Sequence, residues 1–167
     1  HNLYVAIRKL SDIKENPKST KVDIKESEDN LKIAIDSISY ISEAAYLSRI
    51  NWWTVEYGLV GNIKNPKIYG AGLLSSIGES ENCLKDTVQK IPMSIDCINY
   101  SYDITEQQPQ LFIADDFKSL NKILDEFSSK MAYKVGGLEG INKAIQSKNL
   151  CTIGLDSNIQ ISGKIES

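Results

Sequence analysis

The feature that most constrains this chain is the stretch from residue 42 to residue 57. Ala44, Ala45, Leu47, Ile50, Trp52, Trp53, Val55 and Tyr57 leave no clean polar face at helical spacing. A helix that is apolar all round needs covering on every side. The pattern therefore predicts a central, largely buried helix around which the rest must pack. Ser42 is suited to be its N-cap and Glu43 stands in the first turn, where the helix dipole favours an acid. Gly58 and Gly61 end it, and Asn65-Pro66 makes a turn.

The flanking sequence supplies further helices and short strands. Leu3, Ile7, Leu10 and Ile13 recur at helical spacing until Pro17 and Ser19 break the run. A second helix is predicted over residues 22–38, with Ile24, Leu31, Ile35 and Ile38 on one stripe and a solvated charged face opposite. Residues 67–69 read as a short extended piece before Gly70-Ala71-Gly72. Pro92 opens a predicted strand over 93–97, and residues 110–114 form another. Asp115 is placed to cap an amphipathic helix carrying Phe117, Leu120, Leu124, Phe127 and Met131. Gly136-Gly137 separates it from a shorter helix with Leu138, Ile141 and Ile145. Residues 151–155 and 158–161, around Asp156-Ser157, read as a hairpin. The fold class is α+β and mostly helical.

Composition narrows the functional classes. Hydrophobic residues make up 41% and charged residues 25%, the balance of a globular protein, and 167 residues suffice to bury a core. A net charge of −3, with lysines scattered among acids, gives no basis for a nucleic-acid partner. No apolar run approaches the roughly 18–20 residues that cross a bilayer, so no membrane partner is expected. Cys83, Cys97 and Cys151 form no CxxC pair. They read as three reduced, at least partly buried thiols of a cytoplasmic protein.

Against this background Glu56 stands out, because Trp52 and Trp53 precede it by four and three residues on an apolar helix. A carboxylate there is costly unless its charge is compensated. Two compensations are open: an ion pair with Arg49, seven residues earlier, or a metal.

The surrounding motif carries a resemblance. Asn51-Trp52-Trp53-Thr54-Val55-Glu56-Tyr57-Gly58-Leu59 resembles the segment of the tetrahydropterin-dependent aromatic amino acid hydroxylases that supplies a carboxylate iron ligand. Tyr69-Gly70-Ala71-Gly72-Leu73-Leu74-Ser75-Ser76-Ile77-Gly78-Glu79 is similar to a second signature of that family. A weaker match runs over residues 102–116, including Thr105-Glu106 and Gln108-Pro109. A lone Gly70-Ala71-Gly72 would signify only a tight turn, and it does not fit a dinucleotide fingerprint. Two long matches in order are specific. The resemblance is strong over residues 42–114 and looser on both sides, and it leans toward the phenylalanine-hydroxylase-like, longer-chain bacterial members.

The resemblance implies a facial triad of two histidines and one carboxylate around ferrous iron, with a tetrahydropterin cofactor, molecular oxygen and an aromatic amino acid as co-reactants. It places Glu56 at the metal-ligand position, and Trp52, Gly72 and Ser75 at the substrate site. Trp52 would line the pocket as an aromatic wall. Gly72 would let backbone approach the substrate. Ser75 would orient an iron-ligating histidine. The bland readings are a core tryptophan and a buried serine bonded to nearby backbone. No residue is assigned as a catalytic acid, base or nucleophile.

The departures shape the expectation as much as the matches. The family's HxxxxH pair is absent, His1 is the only histidine, and Asn51 stands where many animal members carry tyrosine. The sequence therefore reads as a single-domain fragment over residues 1–167, the C-terminal part of a hydroxylase catalytic domain, inactive alone and lacking the domain's N-terminal part. The competing reading is a non-catalytic scaffold or interaction module that keeps the hydroxylase fold without the metal site.

Overall fold

A side-chain cap decides where the second of the two N-terminal helices starts. The structure, a computed structural model, describes residues 2–104 and 106–166. His1 and Thr105, which entered the sequence reading, lie outside them. Helix α1 (Asn2–Glu15) runs into the Asn16-Pro17 turn, and α2 (Lys21–Asp36) begins at Thr20. Thr20 Oγ1 accepts from the Asp23 amide at 3.2 Å while Asp23 Oδ2 accepts from the Thr20 amide at 2.8 Å, a reciprocal capping box. The two helices pack on each other and form one unit, His1–Ile41. Leu10 and Ser27 are its sealed positions, with Ile24, Leu31 and Ala34 half-buried. The expected stripe continued through Ile35 and Ile38, yet both are exposed. Ile35 falls in the last turn of α2 and Ile38 lies beyond its end.

The second unit, Ser42–Ser167, holds the main core. Helix α3 (Glu43–Asn51) starts at Ser42, whose hydroxyl accepts from the Ala45 amide. Glu43 does more than meet the helix dipole. Its Oε1 accepts from the Ala132 amide at 2.8 Å and so caps another helix, α7 (Ala132–Val135). The long buried helix anticipated over residues 42–57 is corrected in two respects. It ends at Asn51 and continues as a π-helical turn, Trp52–Glu56. It is also only partly buried: Ile50 and Trp53 are sealed, but Leu47 is 42% and Val55 54% exposed.

A four-stranded sheet follows, in the order β2-β1-β4-β3. Strands β1 (Leu59–Asn62) and β2 (Asn65–Ile68) form an antiparallel hairpin in register Leu59↔Ile68. Strands β3 (Gln89–Pro92) and β4 (Gln110–Ala114) pair in parallel, as do β1 and β4. The β1–β2 hairpin was anticipated only as a glycine stop and a short extended piece. Its turn lies at Ile63-Lys64, where Asn62 Oδ1 accepts from the Lys64 amide, and Pro66 sits inside β2 opposite Gly61. Pro92 closes β3 instead of opening a strand, and residues 95–99 form a 3-10 turn capped by Ser94. A proline is tolerated at the end of an edge strand, where no ladder donor is needed.

Strand β4 is the centre of the sheet. Leu111, Phe112, Ile113 and Ala114 are all buried, as expected for a strand covered on both faces. Helix α6 (Phe117–Ser129) is capped by Asp116, one residue later than anticipated. The box needs a partner three residues on, and Ser119 provides it: its amide donates to Asp116 Oδ1 at 2.8 Å. Helices α4 (Ala71–Ser75) and α5 (Ile77–Asn82) lie between β2 and β3, and α8 (Gly137–Ser147) follows α7. Strands β5 (Leu150–Gly154) and β6 (Gln160–Lys164) form the anticipated C-terminal hairpin. The fold is α+β and mostly helical. Cys83 and Cys97 are buried free thiols and Cys151 is a half-buried one.

The core of the second unit joins Ile50 and Trp53 to Leu59, Leu73 and the β4 side chains. Phe112→Ala, which empties a position 1% exposed, is expected to lower the unfolding free energy by about 3–5 kcal/mol. Val55→Ala on the exposed side is expected to change it by no more than about 0.5 kcal/mol. Urea denaturation of the two variants checks both, and a large loss for Val55→Ala would restore the fully buried helix.

Candidate functional site

The site is generated by a change of helical pitch. At Trp52 the backbone leaves the α register: the Tyr57 amide donates to the Trp52 carbonyl, five residues back, at 2.8 Å. Such single π turns insert one residue and re-aim the side chains that follow. Thr54 Oγ1 donates to the Ile50 carbonyl at 2.7 Å, occupying an acceptor the widened turn leaves available. The two tryptophans then part company. Trp53 is fully buried, its Nε1 donates to the Tyr100 carbonyl at 3.0 Å, and its ring tilts against Phe112 at 5.3 Å. It is a core residue.

Trp52 enters a three-ring stack. Tyr57 lies on one side with centroids 4.6 Å apart and planes 19° from parallel. Tyr102 lies 4.3 Å away at 8°. The Tyr102 hydroxyl shares a 2.9 Å hydrogen bond with Ser48 Oγ on α3. Trp52 Nε1 is buried without a hydrogen-bond partner among the described residues. Trp52 is thus a ring engaged by two tyrosines of the chain itself.

Glycines bring the second motif against this turn. A Cβ on Gly70 would stand 2.4 Å from the Glu56 carbonyl oxygen and 2.6 Å from the Gly58 nitrogen, both backbone atoms. On Gly58 it would meet the Tyr69 ring at 2.3 Å. On Gly72 it would stand 2.9 Å from Tyr57 Cε2 and 3.4 Å from Glu56 Oε2. Gly72 therefore makes room for the chain's own Tyr57 ring and Glu56 carboxylate. The Tyr69 and Gly70 amides both donate to the Gly58 carbonyl and fix the approach.

Glu56 is half-buried at the end of the π turn. Arg49 does not compensate it: among the described residues no ion pair joins them. The guanidinium instead donates through Nη1 to the Ile98 carbonyl at 2.6 Å and lies over the Tyr46 ring. Of the two compensations left open by the sequence, the internal ion pair is absent among the described residues. Ser75 is exposed, and its hydroxyl donates to the Gly72 carbonyl at 3.0 Å, closing the single turn of α4.

Two further residues join the site without having been singled out. Tyr57 comes near the Glu79 carboxylate on α5, close enough for each to shift the other's titration. Burial, followed by the charges of Glu79 and Glu56, pushes the Tyr57 phenol up from its ordinary value and keeps it a donor. Burial likewise raises the Glu79 carboxyl, against the opposing effect of the nearby Tyr57 hydroxyl. Tyr57 and Glu79 each belong to one of the two motifs quoted from the sequence, and nothing in the spacing showed that they would come near each other. Tyr69 is pushed up to about 12 by burial, and its hydroxyl has no partner among the described residues.

Comparison with known proteins bears on the family. The family model of the biopterin-dependent aromatic amino acid hydroxylases matches residues 32–137. Phenylalanine-4-hydroxylase of Dictyostelium discoideum is 39% identical over 83 residues, 49% of this chain and 19% of that protein. The protein henna of Drosophila melanogaster is 36% identical over 121 residues, 72% of this chain and 25% of its own length. Phenylalanine-4-hydroxylase of Vibrio cholerae is 37% identical over 83 residues and 29% covered. Among solved structures, Chromobacterium violaceum phenylalanine hydroxylase with bound Fe(III) matches with a TM-score of 0.47 and 28% identity, over 64% of this chain and 36% of that one. The chain belongs to the biopterin-dependent aromatic amino acid hydroxylase family. It spans between 19% and 29% of the length of these three relatives.

The family's name implies a pterin, and the C. violaceum structure carries iron. Among the described residues no group of three histidine, cysteine, aspartate or glutamate side chains is assembled to hold a metal. The Glu56 carboxylate is half-buried, not paired with Arg49 among the described residues, and set beside Gly72. The described residues also include no helix long and apolar enough to cross a membrane.

Burying a hydroxyl without a partner costs about 1–3 kcal/mol. Tyr69→Phe removes that hydroxyl and retains the ring, which packs edge-on against Phe117 at 5.2 Å. The variant is expected to be as stable as the parent or more so, by up to about 1 kcal/mol. A thermal melt showing clear destabilisation would mean that the hydroxyl is bonded.

Proposed function

We propose that these 167 residues are the C-terminal part of the catalytic domain of a non-haem iron, tetrahydropterin-dependent monooxygenase. In this reading it hydroxylates the ring of an aromatic amino acid in the cytoplasm, phenylalanine to tyrosine. The reading rests on one observation above all: the π turn sets Glu56, with no ion pair among the described residues, beside Gly72 and the Trp52 stack. Membership of the family supports it.

Each residue of the chain then has a part. Glu56 supplies one carboxylate donor, and the histidine donors come from outside these 167 residues. Trp52, Tyr57 and Tyr102 form an apolar wall suited to an aromatic side chain and exclude water from that side. Gly72 permits the close approach, and Ser75 holds the turn on which Gly72 sits. Iron and reduced pterin, when bound, supply the activation of molecular oxygen.

Glu56→Ala, made in a polypeptide that carries the remaining iron donors, is expected to lose most of its ferrous iron and nearly all tyrosine formation. Folding should change little, since a half-buried charge is removed together with its partial desolvation cost. Iron stoichiometry and unfolding free energy are measured on the same protein. Full iron occupancy with a loss of about 3–5 kcal/mol would make Glu56 a structural ion-pair partner instead.

The 167-residue chain by itself is expected to form no tyrosine when given phenylalanine, reduced pterin, ferrous ion and oxygen. Turnover at an enzymatic rate would show that these residues complete the site on their own.

A further inference from the structure

We propose that Ser48, acting through the Tyr102 hydroxyl, is a positioning residue for the Trp52 ring. The inference rests on the reading of Trp52 as part of a pocket wall for its bearing on substrate, while the geometry concerns this chain alone.

Trp52 has no polar tether of its own. Its Nε1 is buried and has no hydrogen-bond partner among the described residues. Trp53, by contrast, is pinned by the bond from its Nε1 to the Tyr100 carbonyl at 3.0 Å. The place of the Trp52 ring is therefore set by the rings against it, Tyr57 at 4.6 Å and Tyr102 at 4.3 Å. Near-parallel stacking holds rings together but opposes their sliding past one another only weakly. A directional contact on one member of the stack removes that freedom.

Tyr102 carries such a contact, the 2.9 Å hydrogen bond between its hydroxyl and Ser48 Oγ. The helix makes it possible. The Trp52 amide still donates to the Ser48 carbonyl, so these two residues lie one α turn apart on the same face, just before the pitch changes. Tyr102 lies along that face, its ring on Trp52 and its hydroxyl one turn back on Ser48. The backbone on either side of Tyr102 is fastened separately. The Tyr100 carbonyl accepts from Trp53, and the Asp103 carbonyl accepts from Gln108 Nε2 at 2.6 Å. Those bonds leave the Tyr102 side-chain torsions to be set, and the Ser48 bond fixes their far end. Ser48 is exposed, so its hydroxyl fills no core position and its effect is confined to the bond.

Hydrogen exchange of the two indole N–H groups, followed by NMR on the 167-residue chain, tests this without metal or substrate. The Trp52 N–H is protected by the rings that keep water from it, so loosening the stack exposes it. The Trp53 N–H, bonded in the core, reports that each variant is folded. Ser48→Ala and Tyr102→Phe are each expected to speed exchange at Trp52 about threefold, as the low end of one hydrogen bond's net contribution gives, with Trp53 unchanged. The double variant should go no further, since both changes remove the same bond. Ser48→Thr keeps the hydroxyl and should exchange at the parent rate. A parent rate in Ser48→Ala would overturn the proposal. So would Ser48→Thr exchanging as fast as Ser48→Ala, or an additive acceleration in the double variant. Whether Trp52 meets the substrate is decided separately, by the KM for phenylalanine of Ser48→Ala in a polypeptide that carries the remaining iron donors. A raised KM is expected there; an unchanged KM beside accelerated exchange would overturn the pocket-wall reading and leave the positioning intact.

Discussion

The hydrogen bond from the Tyr57 amide to the Trp52 carbonyl, spanning five residues rather than four, is the constraint on which the site depends. In a continuous α-helix Trp52, Trp53 and Glu56 would share one face, three and four residues apart. The wider turn separates them. Trp53 goes into the core against Phe112, Trp52 goes between two tyrosines, and Glu56 comes to lie over Gly72. A π turn is less favourable than the α turn it replaces and needs support from its surroundings. That support is visible in the Thr54 back-bond, the sealed Trp53 and the glycine contacts from residues 70 and 72.

The sheet provides the platform. β4 is buried along its length and pairs with β1, which leaves the π turn directly through Gly58. The hairpin then returns the chain through Tyr69 and Gly70 to the turn it started from, with both amides bonded to the Gly58 carbonyl. The two sequence motifs are thereby the two sides of one contact. Gly58, Gly70 and Gly72 are required by close approach, because side chains there would collide with backbone or with the site's own residues.

Much of this was legible in the sequence. Strong local signals marked the N-cap at Ser42, a strand at residues 110–114, the amphipathic α6 and the C-terminal hairpin. The errors arose where local pattern and tertiary structure part. Periodicity alone does not distinguish an α turn from a π turn, so the helix was carried unbroken to residue 57. An apolar composition on all sides was read as burial, yet Leu47 and Val55 face outward. Pro92 is compatible with either end of a strand, and only the pairing with β4 places it last. The Glu56–Arg49 pairing was plausible by helical spacing, but Arg49 finds the Ile98 carbonyl instead.

The central claim is that the π turn presents Glu56 as a metal donor. It is tested most directly by X-ray absorption spectroscopy on an iron-loaded polypeptide that contains this sequence, comparing the parent with Glu56→Gln. The account requires the substituted protein, at whatever iron occupancy it retains, to show an iron environment with the carboxylate oxygen lost or replaced by solvent and a changed edge shape. Superimposable spectra at equal occupancy would contradict it.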